Sequence, residues 1–149
     1  MPDLRELYQE LILEHSKKPR NYREMPNANR KIEGFNPLCG DHFTVFLDLE
    51  GDDIRDISFQ GSGCALSKAS ASMMTQMLKG KNREAAEQLF DRFHDLVTGK
   101  SPDADLEELG KLAVFSGVSE FPMRVKCASL AWHAMKAALE GEAQQISTE

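Results

Sequence analysis

Apolar positions recur along the first stretch of the chain at Leu4, Leu7, Tyr8, Leu11 and Ile12. That spacing is one face of an α-helix, and Pro19 beyond Lys17-Lys18 predicts its end. Residues 19–38 hold Pro19, Pro26 and Pro37 among Asn21, Asn27, Asn29 and Gly34, which marks extended loop. The period then changes to two. Phe43, Val45, Leu47 and Leu49 alternate with His42, Thr44, Phe46 and Asp48. A turn at Glu50-Gly51-Asp52-Asp53 follows, and Ile57 and Phe59 alternate with Asp56, Ser58 and Gln60. The pair predicts an antiparallel hairpin, with a third strand near Ile32–Phe35.

Gly61-Ser62-Gly63 breaks the strand pattern and opens a helix from about Cys64 to Lys79, closed by Gly80. Its first half is made of small residues (Ala65, Ser67, Ala69, Ser70, Ala71, Ser72), which admit a close neighbouring backbone and predict burial. Its second half carries Met73, Met74, Met77 and Leu78, read as core rather than as ligands. A helix from about Asn82 to Val97 turns Ala85, Ala86, Leu89, Phe90 and Phe93 inward. A loop at residues 98–103, a short helix near Leu106–Phe115, and a last helix from Phe121-Pro122 to Leu139, stopped by Gly141, complete the pattern. The polar tail from about residue 142 is expected to fray. These elements predict one α+β domain over residues 1–149, a small antiparallel sheet packed with helices.

Composition narrows the function. Hydrophobic content of 41% and charged content of 28% are ordinary for one domain of 149 residues. The net charge of −6 argues against a nucleic-acid face. No run is long enough to span a membrane. The charged start, Met1-Pro2-Asp3-Leu4-Arg5-Glu6, lacks an apolar signal core, so a cytoplasmic protein is expected. Thiols there stay reduced, which favours metal binding or catalysis over bridging.

Three cysteines, Cys39, Cys64 and Cys127, lie at the edges of three different elements. An odd, dispersed set suggests a centre assembled by folding, with thiolates meeting from distant segments. Cys64 and Cys127 stand near helix N-termini, whose partial positive charge favours thiolate. Zinc takes about four ligands, so one place remains. Asp41 is two residues from Cys39, on the same side of an extended segment, whereas His42 faces the other way. Cys39, Asp41, Cys64 and Cys127 are therefore the preferred set, and Gly61-Ser62-Gly63, followed by no GKS or GKT, does not match a phosphate loop. Such a site is net negative, and Lys68, Arg124 and Lys126 are basic neighbours in sequence. No CxxC pair supports the set, and any one of the cysteines alone reads as a small buried hydrophobe. His15, His94 and His133 show no partner pattern.

Three segments taken together resemble a known family. They are Asn36-Pro37-Leu38-Cys39-Gly40-Asp41, the stretch Gly61-Ser62-Gly63-Cys64-Ala65-Leu66-Ser67-Lys68-Ala69, and Phe121-Pro122-Met123-Arg124-Val125-Lys126-Cys127-Ala128. They look like the three cysteine motifs of the IscU/NifU-N iron–sulfur assembly superfamily, and most like its SufU branch. IscU scaffolds carry histidine just before the third cysteine, where this chain has Lys126. SufU proteins also carry a longer stretch between the second and third cysteines, which fits residues 99–118.

The resemblance implies a zinc-dependent sulfurtransferase. It would take persulfide sulfur from a SufS-type cysteine desulfurase, a PLP enzyme, and relay it to the SufBCD scaffold. It further implies zinc on Cys39, Asp41, Cys64 and Cys127, Cys39 as sulfur acceptor, and Arg124 in the desulfurase complex. The mobility expected of a Pro/Gly-flanked loop, against the helix-held Cys64 and Cys127, independently favours Cys39 as acceptor. Two alternatives remain: an IscU-like scaffold on which an Fe–S cluster is built, and a zinc-stabilised interaction domain without chemistry.

Overall fold

A computed structural model of the protein describes residues 4–37, 40–100, 110–115, 118–141 and 145–147. Helix α1 spans Leu4–Lys17. Strands β1 (Arg30–Asn36), β2 (Asp41–Glu50) and β3 (Asp53–Ser62) follow. Helices α2 (Ala65–Leu78), α3 (Arg83–Val97) and α4 (Pro122–Glu140) come next, and β4 (Gln145–Ser147) ends the described chain. The sheet order is β3-β2-β1-β4, with β1, β2 and β3 antiparallel. The expected α+β class and the hairpin at Gly51 are both present. Gly51 takes the left-handed φ of 62° that the two-residue turn requires.

The period-2 reading places the core face correctly. Phe43, Val45, Leu47, Ile57 and Phe59 are buried together with Ile32. A bulge between Asp48 and Leu49 shifts the register, so Leu49 is only half-buried. Asp48, on the other face, is buried and accepts from Arg55 Nε and Nη2 at 3.0 and 2.8 Å.

Helix α4 lies across the core face of the sheet. Gly34 in β1 permits this, because a Cβ there would stand 3.2 Å from Leu130 Cδ1. Helix α2 packs beside α4 through its small residues, as the sequence predicts. Ser70 is the contact point: its hydroxyl donates to the Ala128 carbonyl at 2.5 Å and accepts from Trp132 Nε1–H at 3.1 Å. Phe93 from α3 stacks on Trp132 with ring centroids 4.6 Å apart. Helix α1 is pinned to α2 by His15 Nδ1 and Ser72 Oγ, 2.7 Å apart.

Two expectations need adjustment. Residues 145–147, expected to fray, form β4 and pair in parallel with Glu33, Gly34 and Phe35 of β1. The edge of β1 offers unpaired backbone groups, and the chain leaving α4 at Gly141 runs back along them. The short helix is a 3-10 turn over Gly110–Phe115, followed by another over Val118–Glu120. Its expected beginning at residues 106–109 lies outside the described residues.

Candidate metal centre

The β1–β2 hairpin brings Asn36 opposite Asp41 as its last facing pair. Residues 37–40 close the loop between them. Cys39 and Leu38 lie outside the described residues. Asp41 is 2% exposed and points to the core side, in line with Phe43 and Val45. His42 points away: it is exposed, stacks on Phe35 at 4.3 Å, and stands 3.9 Å from Glu33. The alternation argument that chose Asp41 over His42 thus has its structural counterpart.

The chain leaves β3 through Gly61-Ser62-Gly63, and Cys64 becomes the N-cap of α2. Its sulfur accepts from the Ser67 amide and lies 3.4 Å from the Ser67 hydroxyl. Its own amide donates to Asp41 Oδ1 at 2.9 Å, and its sulfur is 4.0 Å from Asp41 Oδ2. Both glycines are needed for this approach. A Cβ on Gly63 would meet Asp41 Oδ1 at 2.6 Å, and one on Gly61 would meet the His42 carbonyl at 2.1 Å. Cys127 is buried on the second turn of α4, beneath the end of β1, where Asn36 Nδ2 donates to its sulfur at 3.5 Å.

The donor atoms of Asp41, Cys64 and Cys127 all lie within 4.8 Å of one another, at one end of the sheet. Two thiolates on a tetrahedral zinc stand about 3.8 Å apart, given a Zn–S bond of about 2.3 Å. The three donor atoms are gathered within 4.8 Å, and two sulfurs with one carboxylate are a zinc-type donor set, so the residues present fit the metal. Among the described residues no other group of three such donors occurs. A carboxylate that also caps an amide is held in one rotamer, and a thiolate at an N-cap gains from the N–H groups of the helix.

The basic neighbours are placed less closely than their sequence positions suggest. Lys68 Nζ lies over the Tyr22 ring, 5.7 Å from its centroid. Arg124 is exposed one turn before Cys127, with its guanidinium 4.3 Å from the Phe121 centroid. Asn36, Ser67 and Gly63 were not singled out as site residues. Only Ser67 had a sequence signal, its position three residues after a helix-opening residue.

A family model described as the NifU-like N-terminal domain matches residues 7–128, and the chain belongs to that family. It is similar to a zinc-dependent sulfurtransferase SufU of Bacillus subtilis (strain 168), with 43% identity over 130 residues covering 87% of each chain. It is also similar to an iron–sulfur cluster assembly scaffold protein IscU of Streptococcus pyogenes serotype M1. There the identity is 39% over 140 residues, covering 94% of this chain and 87% of the relative. A crystal structure described as a putative iron–sulfur cluster assembly scaffold protein for the SUF system, from Fervidobacterium islandicum AW-1, superposes with a TM-score of 0.82 at 34% identity. That match covers 92% of this chain and 99% of the other. No helix of the described residues is long and apolar enough to cross a membrane.

Proposed function

We propose that this protein is a cytoplasmic, zinc-dependent sulfurtransferase of iron–sulfur cluster biogenesis. It accepts persulfide sulfur on Cys39 from a SufS-type cysteine desulfurase, a PLP enzyme, and relays it to the SufBCD scaffold. The observation that carries this reading is the convergence of Asp41, Cys64 and Cys127 within 4.8 Å beside the loop that holds Cys39. The 43% identity to a protein named a zinc-dependent sulfurtransferase, and Lys126 in place of a pre-cysteine histidine, support it.

Cys39, Asp41, Cys64 and Cys127 would hold the zinc, which would keep the thiolates deprotonated at neutral pH. The protein's own residues divide the remaining work. Cys64 and Cys127 are fixed by α2 and α4. Asp41 is fixed by the Cys64 amide. Cys39 follows Pro37 and precedes Gly40, whose φ of 73° is left-handed. A Pro/Gly-flanked position in the sequence makes Cys39 the thiolate that would swing at least cost. In the transfer, the Cys39 thiolate attacks the terminal sulfur of the desulfurase persulfide. A new S–S bond forms on Cys39, the donor's S–S bond breaks, and the desulfurase cysteine departs as thiolate. The persulfide proton stays with the transferred sulfur, and no oxidant is consumed. The relay repeats the step towards an acceptor thiolate. Arg124, which is exposed against Phe121, would meet the desulfurase rather than the metal.

Mass spectrometry with peptide mapping, after incubation with desulfurase and cysteine, tests the assignment. Sulfur is expected on the Cys39 peptide, with Cys39→Ser inactive and Arg124→Ala zinc-loaded but slower. Sulfur on Cys64 or Cys127, with Cys39→Ser still active, would refute the choice of arm. The scaffold reading draws on the name of the Streptococcus relative. It predicts instead a stable Fe–S chromophore after anaerobic reconstitution. A zinc-stabilised interaction domain predicts zinc without any persulfide.

A further inference from the structure

Strand β1 presents Ile32, Gly34 and Asn36 to the core face, the first and last fully covered. The third position in that row calls for an apolar side chain, yet it holds an amide that is 0% exposed. The amide makes one hydrogen bond, from Nδ2 to Cys127 Sγ at 3.5 Å, and Oδ1 has no hydrogen-bond partner among the described residues. A buried, unpartnered carbonyl destabilises a fold, and leucine would fill the same space without it. Something other than packing favours asparagine here.

The direction of the amide supplies the reason. A metal-bound thiolate accepts hydrogen bonds and donates none, so only the Nδ2 side can face it. Helix α4 carries Cys127 on its second turn. The Cys64 sulfur receives the Ser67 amide, and the Cys127 sulfur receives the Asn36 side-chain amide. We propose that Asn36 is the positioning residue for Cys127: its N–H fixes the sulfur's orientation and withdraws charge from it when metal is bound. Asn36 and Asp41 are the facing pair that closes the β1–β2 hairpin. One is tied to Cys127 on α4 and the other to the Cys64 amide on α2. The two strands beneath the Cys39 loop are thereby docked separately onto the two helices that carry the other cysteines. The inference rests on the zinc reading of the site.

The test compares wild type, Asn36→Leu and Asn36→Ala as full chains loaded with zinc, and again with cobalt(II). All three are expected to bind one metal. Zinc release to a competing chelator should be about 10-fold faster in both variants, the usual size of effect for groups that orient a ligand. The sulfur-to-cobalt charge-transfer band should move to longer wavelength, because a thiolate without its hydrogen bond donates more readily. Unchanged release and an unchanged band, with only the unfolding midpoint altered, would assign Asn36 a packing role and overturn the proposal. If Asn36→Ala does not fold, Asn36→Leu, which keeps the branched skeleton, decides alone. A wild type that binds no zinc overturns the zinc reading along with this one. A wild type that binds zinc but releases it no more slowly than the variants overturns this one only.

Discussion

Asp41 does two jobs with one carboxylate. Oδ1 accepts the Cys64 amide, and Oδ2 stands 4.0 Å from the Cys64 sulfur. Asp41→Ala therefore leaves the Cys64 N–H without its acceptor, at a cost of about 1 kcal/mol, and removes a proposed ligand. Its unfolding midpoint in urea should fall and its zinc should pass to a chelator faster than in wild type. Asp41→Cys replaces a hard donor with a soft one, so zinc should be held more tightly and sulfur transfer should slow. Matching zinc release and transfer rates in both variants and wild type would remove Asp41 from the site. At this scale the sequence was informative where side-chain direction follows a simple period. Strand alternation separated Asp41 from His42 correctly. It gave no sign of Asn36, because a hydrogen bond to a sulfur from 91 residues away has no local pattern.

Between elements, one hydroxyl joins α2 to α4 by two hydrogen bonds. Ser70 serves both the Ala128 carbonyl and the Trp132 indole. Ser70→Ala leaves the indole N–H buried without its acceptor, so it should lose about 2 kcal/mol in urea unfolding. Because α2 and α4 also carry Cys64 and Cys127, the same variant should weaken zinc retention. The small-residue half of α2 was legible as a close-packing face; that one serine would bridge two groups was not.

Helices α3 and α4 meet at His94, His133, Phe90 and Lys136. Burial pushes the His133 pKa below its ordinary 6.5, and nearby His94 and Lys136 push it the same way. The unfolded chain then binds the proton more readily. Stability is full above about pH 6.5 and is lost as pH falls from there through the lowered folded value. His133→Phe should flatten that decline below about pH 6.5, with unfolding followed at each pH. A slope as steep as wild type would assign the acid sensitivity elsewhere. Strand β4 was missed for a plain reason. Gln145-Ile146-Ser147 is three residues long, with one apolar position, and only the free edge of β1 makes it a strand.

For the molecule as a whole, the design is convergence at one end of a sheet. A hairpin end, a helix N-cap and the second turn of a crossing helix each deliver donors to one place. The class of fold was legible because each period was strong and each break carried glycine or proline. A site gathered from three element edges was legible because no pair of cysteines was local. How closely the edges meet depends on Gly61 and Gly63, whose missing side chains let α2 start against β2. Zinc on this arrangement would tie the β1–β2 hairpin, α2 and α4 together. The most direct test is zinc K-edge X-ray absorption of the purified, zinc-loaded protein. Three sulfurs at about 2.3 Å and one oxygen at about 2.0 Å are expected, falling to two sulfurs in Cys39→Ser. A shell with an imidazole nitrogen in place of the oxygen, or one unchanged by Cys39→Ser, would contradict the assignment of Cys39, Asp41, Cys64 and Cys127 as the zinc ligands.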